Sequence, residues 1–303
     1  MPRISILLTC YNHVKYLPPC VEGIRRQTFL DFEVIAIDDG STDGSREWLA
    51  EQTDIKCVFN ETNQGTYGTL NVGLKKASGE LIAVLNDDDL WEPKKLQRQV
   101  DLLDSHPKVG LVHTGGTFID GEGKPREGNP LGFAFPRFET GDILLGLVYE
   151  NKIIASAALA KRECFDKLGQ FNSAYFGSGD WEMWFRIAER YEVGFVDEQL
   201  THYRVHGANA SHKLDRIWRD DEMLREWIAP RLEMLNGRFP LPDIRRAKAF
   251  NQAALGTVKT LNGKPSEGRA AFAASIRLNP GRWKSYARYV ATFLPRSVFR
   301  KLL

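Results

Sequence analysis

Four consecutive polar residues, Asn86-Asp87-Asp88-Asp89, follow the apolar run Leu81-Ile82-Ala83-Val84-Leu85 and precede Leu90-Trp91-Glu92-Pro93. Three adjacent carboxylates at the end of a buried strand repel one another and cost stability unless something positive neutralises them. A divalent cation that also holds a diphosphate would do so, because Mg2+ and Mn2+ favour carboxylate oxygens and share them with phosphates. The competing reading is a solvated acidic turn ahead of a helix with Pro93 in its first turn. Two more polar groups stand just after apolar runs, Thr9-Cys10-Tyr11-Asn12 and Asp38-Asp39-Gly40-Ser41. Asp180 follows Gly177-Ser178-Gly179 at the head of a helix-like segment, where a carboxylate suits either a cap or a general base.

Periodicity shows what must position these residues. Apolar, β-branched runs occur at 4–8, 34–37, 56–59, 81–85 and 109–113, with helix-like segments at 14–27, 43–52, 66–77 and 94–105. This βαβ alternation predicts an α/β fold with a mostly parallel sheet flanked by helices. Ligands of such sheets bind at the carboxyl ends of strands, so the clusters after the first, second and fourth strands point to one shared site. Neither G-x-G-x-x-G in the first turn nor G-x-x-x-x-G-K-[ST] anywhere is present, which disfavours a dinucleotide fold and a P-loop. Residues 116–142, rich in Gly, Pro and Phe, read as irregular loop.

Farther on come an apolar run at Ile153–Ala160 and a short helix at 162–168. A helix at 180–191 has Met183, Trp184, Ile187 and Ala188 on one face, and a strand at 193–196 follows. Then come a polar loop at 204–213, a helix at 214–235, a Pro-flanked break at 239–242 and two or three helices. Segment 247–280 looks like a single helical hairpin.

Composition bounds the class. The 303 residues, 43% hydrophobic and 26% charged, suffice for one large domain or one domain with an appendage. No apolar run nears the ~18 residues of a membrane span, and the chain enters its first strand without a signal peptide. Cys10, Cys20, Cys57 and Cys164 lack metal-site spacing and read as reduced thiols of a cytoplasmic protein. The net charge of +2 hides an asymmetry: residues 240–303 carry 13 Lys/Arg and 2 Asp/Glu, a net of +11, which leaves −9 elsewhere. Arg282–Leu303 interleaves basic and apolar residues around Pro295, giving two short amphipathic pieces. Such a tail either meets an anionic membrane surface, on the inner face, or packs on the acidic body. No nucleic-acid partner is expected.

These residues, in this order and spacing, resemble the family 2 glycosyltransferases over about residues 3–206. The resemblance is carried by Ile4-Ser5-Ile6-Leu7-Leu8-Thr9-Cys10-Tyr11-Asn12, Gln27-Thr28-Phe29, Asp38-Asp39-Gly40-Ser41-Thr42-Asp43, Asn63-Gln64-Gly65 with Asn71, Gly79-Glu80-Leu81-Ile82, the acidic run with Trp91 and Pro93, and Gly179-Asp180-Trp181-Glu182. It implies a GT-A fold over residues 1–213, with a nucleotide-binding half at 1–115 and an acceptor half at 116–213, followed by a helical extension over 214–303. It further implies a nucleotide-diphosphate sugar donor, with UDP the commonest base, a Mn2+ or Mg2+ cofactor and inversion at the anomeric carbon. Membrane helices and Q-x-x-R-W, which mark the processive members, are absent, so transfer of one sugar onto a glycan or lipid-linked acceptor is expected.

The resemblance also distributes roles. Thr9, Tyr11, Asp38, Asp39, Asn71 and Asp87 fall on nucleotide-binding positions. Asp39 would accept a bond from the base, and Asp38 would be structural or touch the ribose. Asp88 is the principal metal ligand, joined by Asp89 and His206. Asp180 is the general base, Trp181 and Glu182 would face the acceptor, and Arg204 the phosphate. His206 belongs to Tyr203-Arg204-Val205-His206-Gly207-Ala208-Asn209-Ala210-Ser211, which resembles a late motif closing over the diphosphate. Asn86 stands where the family usually has Asp, leaving two registers, Asp87-x-Asp89 and Asn86-x-Asp88. Two other readings are less well supported. A sugar nucleotidyltransferase would need a Gly-rich, Arg-containing loop where Thr9-Cys10-Tyr11-Asn12-His13 stands. An inactive sugar-nucleotide-binding or scaffold protein is opposed by intact Asp39, Asp88 and Asp180.

Overall fold

The computed structural model describes residues 1–128, 134–151, 153–207, 209 and 212–302. The chain divides into two compact units: 1–143 with 152–209, and 144–151 with 210–303.

The first unit is built on a sheet of eight strands among the described residues: β1 (Ile4–Cys10), β2 (Phe32–Asp38), β3 (Lys56–Phe59), β4 (Leu81–Asn86), β5 (Leu90–Trp91), β6 (Val109–Ile119), β7 (Leu159–Lys161) and β8 (Glu192–Arg204), in the order β3-β2-β1-β4-β7-β6-β8-β5. β3, β2, β1 and β4 run parallel, and β6 and β8 are parallel to each other. β7 is antiparallel to both its neighbours, as β5 is to β8. The mostly parallel α/β sheet is therefore present, with antiparallel insertions where the second half joins. Ile4, Ile6, Leu7 and Leu8 of β1 are all fully buried, which is why this strand is apolar on both faces.

Helices α1 (Leu17–Arg25), α2 (Ser45–Ala50), α3 (Gly65–Lys76) and α4 (Lys95–Ser105) match the expected segments. α1 buries Leu17, Cys20, Val21 and Ile24, the 3-4 spacing of one helical face. Gln27 bolts this layer together. Its Nε2 donates to the carbonyls of Gly23 and Glu92, and its Oε1 accepts the Leu96 N–H at the start of α4. Trp91 Nε1 donates to the Ser156 carbonyl. These two contacts set the height of the acidic run between them.

Two sequence expectations are corrected. β6 continues to Ile119, and β8 spans 13 residues to Arg204, where a short strand at 193–196 was expected. They pair through bulges around Gly115 and Gly116, and a Cβ on Gly116 would sit 1.9 Å from the Thr201 carbonyl. Glycine there permits an approach that the sequence alone suggests is loop. Residues 129–133 of the expected 116–142 loop, and Ala208, Ala210 and Ser211 of the late motif, lie outside the described residues. The apolar run 153–160 holds a 3-10 turn at Ala155–Ala157 and enters β7, and α6 (Arg162–Leu168) follows. α7 (Gly179–Ala188) buries Met183, Trp184, Ile187 and Ala188, as expected from their spacing.

The second unit contains α5 (Leu144–Tyr149), α8 (Leu214–Glu233), α9 (Leu241–Leu261), α10 (Pro265–Leu278), α11 (Trp283–Ala291) and α12 (Arg296–Lys301). The unit begins at 210, near the expected boundary at 213, but it also claims 144–151. The Arg225 guanidinium donates to the Val148 carbonyl, and Tyr149 packs on Phe250 with ring centroids 4.8 Å apart. α9 and α10 form the expected hairpin. It closes tightly because Gly268 lies where a Cβ would meet Thr260 Oγ1 at 2.2 Å. No helix among the described residues is long and apolar enough to cross a membrane.

Candidate active site

The carboxyl ends of β1, β2 and β4 carry three linked polar groups, as their parallel pairing requires. Asp38 pairs in register with Cys10, and Asn86 with Thr9. Thr9 Oγ1 donates to Asn86 Oδ1 at 3.2 Å. The chain then turns at Asn12, whose φ of +56° is left-handed. Its side chain makes that conformation useful: Asn12 Oδ1 accepts the Thr42 N–H at 2.7 Å, while the Asn12 N–H donates to Ser41 Oγ. Tyr11, two-fifths or more exposed at 46%, is thereby held out on the rim.

The three carboxylates of the acidic run have different fates. Asp87 Oδ2 accepts the Tyr11 N–H at 2.9 Å, and its Oδ1 lies 2.8 Å from His13 Nδ1. Burial raises the Asp87 carboxyl; burial alone would lower His13, but bonding to Asp87 holds the imidazole above its ordinary range. Asp89 points inward. Its Oδ2 accepts the Ser156 hydroxyl and its Oδ1 the Arg204 N–H at 2.9 Å, and burial pushes it well above the usual carboxylate range. Asp88 Oδ2 lies 3.0 Å from His206 Nε2 and accepts from Asn209 Nδ2 at 3.3 Å.

Among the described residues no group of three or more His, Cys, Asp and Glu side chains is gathered to hold an ion. Asp88 and His206 nevertheless fit a divalent cation as a partial donor set. A carboxylate oxygen and an imidazole nitrogen converge at 3.0 Å, a pairing Mn2+ accepts, and such ions commonly complete their shell with substrate phosphates and water. Asp89 is tied inward, with one hydrogen bond already accepted on each oxygen, from the Ser156 hydroxyl and the Arg204 N–H.

Asp39 is almost saturated. Oδ1 accepts from Asn60 Nδ2 and the Gln64 N–H, and Oδ2 from the Gly65 N–H, each at 2.9 Å. The carboxylate therefore stands on the first turn of α3, favoured by the helix dipole. Gly65 at φ +75° lets the chain enter that turn. Asp38 is buried and accepts the Ser41 N–H at 3.3 Å, closing its own turn.

Two residues into α3, the Tyr67 hydroxyl donates to Asp180 Oδ1 at 3.2 Å. That oxygen also accepts the Trp181 N–H at 2.7 Å. Asp180 lies in the first turn of α7 and is 8% exposed.

Four candidates sit differently from expectation. Both amide atoms of Asn71 are spent on the Phe171 backbone, donating to its carbonyl at 2.8 Å and accepting its N–H at 3.0 Å, so it braces the 171 loop. Glu182 is buried and paired with Arg186 at 2.8 Å, which in turn holds the carbonyls of 168–170. Arg204 straps two backbone segments together. Its Nε donates to the Asp88 carbonyl and its Nη1 to the Asp120 carbonyl, with the guanidinium 4.6 Å over the Tyr16 ring. Asp89 is the fourth, for the reason above. Trp181 is half-buried beside Asp180.

Sequence reasoning missed His13, Ser156, Tyr67 and Asn209. His13 adjoins Tyr11-Asn12 and Asn209 falls inside the late motif, so position could have flagged both. Nothing in the sequence singles out Tyr67 or Ser156. The four thiols are free, and burial pushes Cys164 up to about 12 and Cys10 and Cys20 higher, so all three stay protonated.

Comparison with known proteins names the class. Residues 5–169 match the model of glycosyl transferase family 2. An uncharacterized glycosyltransferase of Nostoc sp. (strain PCC 7120) is 31% identical over 219 residues, covering 68% of this chain and 66% of that one. Another, of Methanocaldococcus jannaschii, is 29% identical over 224 residues, covering 71% and 74%. The chain thus spans just under two thirds of the Nostoc relative. S. aureus TarS 1–349, solved in complex with UDP-GlcNAc, superposes with a TM-score of 0.70 at 16% identity, covering 99% of this chain and 91% of that one. Mannosyltransferase PcManGT from Pyrobaculum calidifontis, solved with GDP-Man and Mn2+, gives 0.60 at 22% identity, covering 98% and 85%. The fold is the expected GT-A type, with helices following it, and the class is glycosyltransferase. The chain belongs to glycosyl transferase family 2.

Proposed function

We propose that the chain moves one sugar from a nucleotide-diphosphate sugar, a UDP-sugar, to a hydroxyl of a glycan or lipid-linked acceptor in cell-surface polysaccharide synthesis, with inversion and with Mn2+ or Mg2+. The observation that carries this reading is the pairing of Asp88 with His206 at the carboxyl edge of the sheet. The solved complexes of TarS with UDP-GlcNAc and of PcManGT with GDP-Man and Mn2+ support the donor class.

Asp39 has three donors on a carboxylate that offers about four lone-pair sites, which leaves one for a base N–H. Tyr11, on the rim, supplies a ring for the base, with Thr9 beneath it. Asp87 and His13 order the loop against the ribose. Asp88 and His206 would hold the ion, which when bound supplies charge stabilisation for the departing diphosphate. Asp180 takes the acceptor's proton as its oxygen bonds to the anomeric carbon and the bond to the diphosphate breaks. General-base help of this kind is worth roughly 10²–10⁴-fold. Tyr67 and the Trp181 N–H fix the direction of the Asp180 carboxylate, and Trp181 borders the acceptor.

A thermal-shift screen of nucleotide sugars with and without Mn2+ tests the donor, because a ligand selective for the folded state raises its stability with the logarithm of concentration over Kd. UDP-sugars with Mn2+ are expected to give the largest shift, and slow Mn2+-dependent donor hydrolysis should accompany it. Asp88→Asn should abolish that hydrolysis and weaken donor binding. Asp180→Asn should keep donor binding and lose transfer; transfer at the parental rate would remove Asp180 from the mechanism. An inert binding protein would show the shift without hydrolysis.

A further inference from the structure

The last two helices of the second unit leave an apolar stripe uncovered. On α11, Trp283, Tyr286 and Val290 recur at spacings of three and four, and Phe293 and Leu294 continue the stripe past the helix end. Trp283 is 69% exposed, Val290 65% and Phe293 67%, and Val298 and Leu302 of α12 are exposed as well. The opposite side is committed to the unit. Ala291 and Phe299 are buried with Phe272 and Ala253, and Ser285 Oγ bonds Ser275 Oγ at 2.9 Å. The tail is therefore anchored by one face and presents the other.

Charge says what covers it. Residues 268–303 hold eight Lys/Arg and no Asp or Glu. Lys284, Arg296, Arg300 and Lys301 of these two helices are exposed, Arg296 also lying 3.3 Å from Asp215. Arg269 lies 4.6 Å over the Phe293 ring, its stem along the apolar face. A second copy of the chain would bring this cationic face against another like it. An anionic bilayer removes that repulsion: Trp and Tyr rings settle at the headgroup level, Val, Phe and Leu enter the acyl boundary, and Lys and Arg meet lipid phosphate.

The structure assigns this face, Trp283, Tyr286, Val290, Phe293, Leu294 and the flanking cations, as a docking surface for an anionic lipid bilayer, lying in the interface rather than crossing it. It is independent of the transfer chemistry, and its test needs neither donor nor metal. Truncating the tail would uncover Phe272, so the full chain is used. Cosedimentation with vesicles of phosphatidylcholine containing about 30 mol% phosphatidylglycerol should exceed that with phosphatidylcholine alone and fall as salt is raised. Val290→Asp with Phe293→Asp should abolish it, and Arg300→Glu with Lys301→Glu should weaken it by at least about fivefold per residue. Because aspartates at the stripe could perturb the fold, a conservative variant gives a second readout. Brominated acyl chains should quench wild-type fluorescence more than that of Trp283→Phe. Equal binding to neutral and anionic vesicles, parental binding by the double-Asp variant, or unchanged quenching in Trp283→Phe would overturn the assignment. So would a dimer in solution that the double-Asp variant splits, without vesicle binding by the parent.

Discussion

The Tyr67 hydroxyl lies 3.2 Å from Asp180 Oδ1, joining the first turn of α3 to the first turn of α7 across 113 residues of chain. Asp39 caps the same turn of α3 through Gly65, so the expected base-binding carboxylate and the expected general base are referenced to one helix end. A Cβ on Gly179 would sit 2.7 Å from the Tyr67 ring, which is why glycine precedes Asp180. Tyr67→Phe should leave the donor Kd unchanged and lower kcat about 10- to 100-fold, the scale of a misplaced catalytic group. Gly179→Ala should do the same while also costing about 1–3 kcal/mol of stability from overpacking. Steady-state kinetics with donor titration separates the two effects.

Asp89 and Asp88 are adjacent yet differ in partner chemistry, and substitution should separate them. Asp89→Asn places an amide against the Ser156 hydroxyl or the Arg204 N–H and should cost about 1–3 kcal/mol. Its Mn2+ affinity should change far less than that of Asp88→Asn. Thermal denaturation beside a Mn2+ titration checks both; a larger Mn2+ defect in Asp89→Asn would put that carboxylate in the metal shell.

Asn71 is tied to Phe171 at both ends of its amide. Asn71→Ala should lower the melting temperature while leaving the Kd for free UDP within about twofold, since each lost bond is worth about 1 kcal/mol to stability. Calorimetric titration with UDP is the measurement, and a loss of affinity as large as that of an Asp39 variant would restore Asn71 to the nucleotide.

Glu33 supplies an acid-stability signature away from the site. Burial works to raise its carboxyl, but Lys56, the Ser78 hydroxyl and N–H, and the Ser5 hydroxyl together hold it down at about 2. A carboxylate lowered in the folded state adds stability that is fully present above its unfolded value and is lost as pH falls toward the folded one. Glu33→Gln should be less stable than the parent by on the order of 2 kcal/mol at pH 7. The gap should close between about pH 4.5 and pH 2 in urea denaturation.

His113 acts in the opposite sense. It is buried between Phe138 and Phe195, with centroids at 4.4 and 4.8 Å, and neither ring nitrogen has a bonded partner among the described residues. Burial pushes it down to about 3, which the Thr114 backbone offsets only in part. The unfolded chain takes up a proton near pH 6.5, so the parent loses stability as pH falls from there toward 3, at up to about 1.4 kcal/mol per pH unit. His113→Leu should flatten that slope, and a parallel pH dependence in both proteins would refute the assignment.

Much of the fold was legible in the chain. The β1–β4 and α1–α4 alternation follows from apolar periodicity, which is local, and parallel strand order then brings residues 9–12, 38–41 and 86–89 to one edge. β6 was cut short in that reading because glycines at 115 and 116 imitate a loop unless the Thr201 carbonyl beside Gly116 is known, and β8 because the polar Asp197-Glu198-Gln199 interrupts its apolar run. α5 changed units because its apolar face, Leu144, Leu147 and Val148, is too short to declare a partner.

The site divides along the same line. Residue type and order along the chain determined that an acidic run and an Asp pair would stand at the carboxyl ends of neighbouring parallel strands, and that an Asp would head a helix. Tertiary structure alone decided which carboxylate turns outward. Asp87, Asp88 and Asp89 are chemically identical and contiguous, so only donors 67 to 118 residues away, His13, Ser156, Arg204 and His206, tell them apart. A buried carboxylate takes its role from the donors packed around it, and those are set by the packing of distant segments rather than by neighbours in sequence.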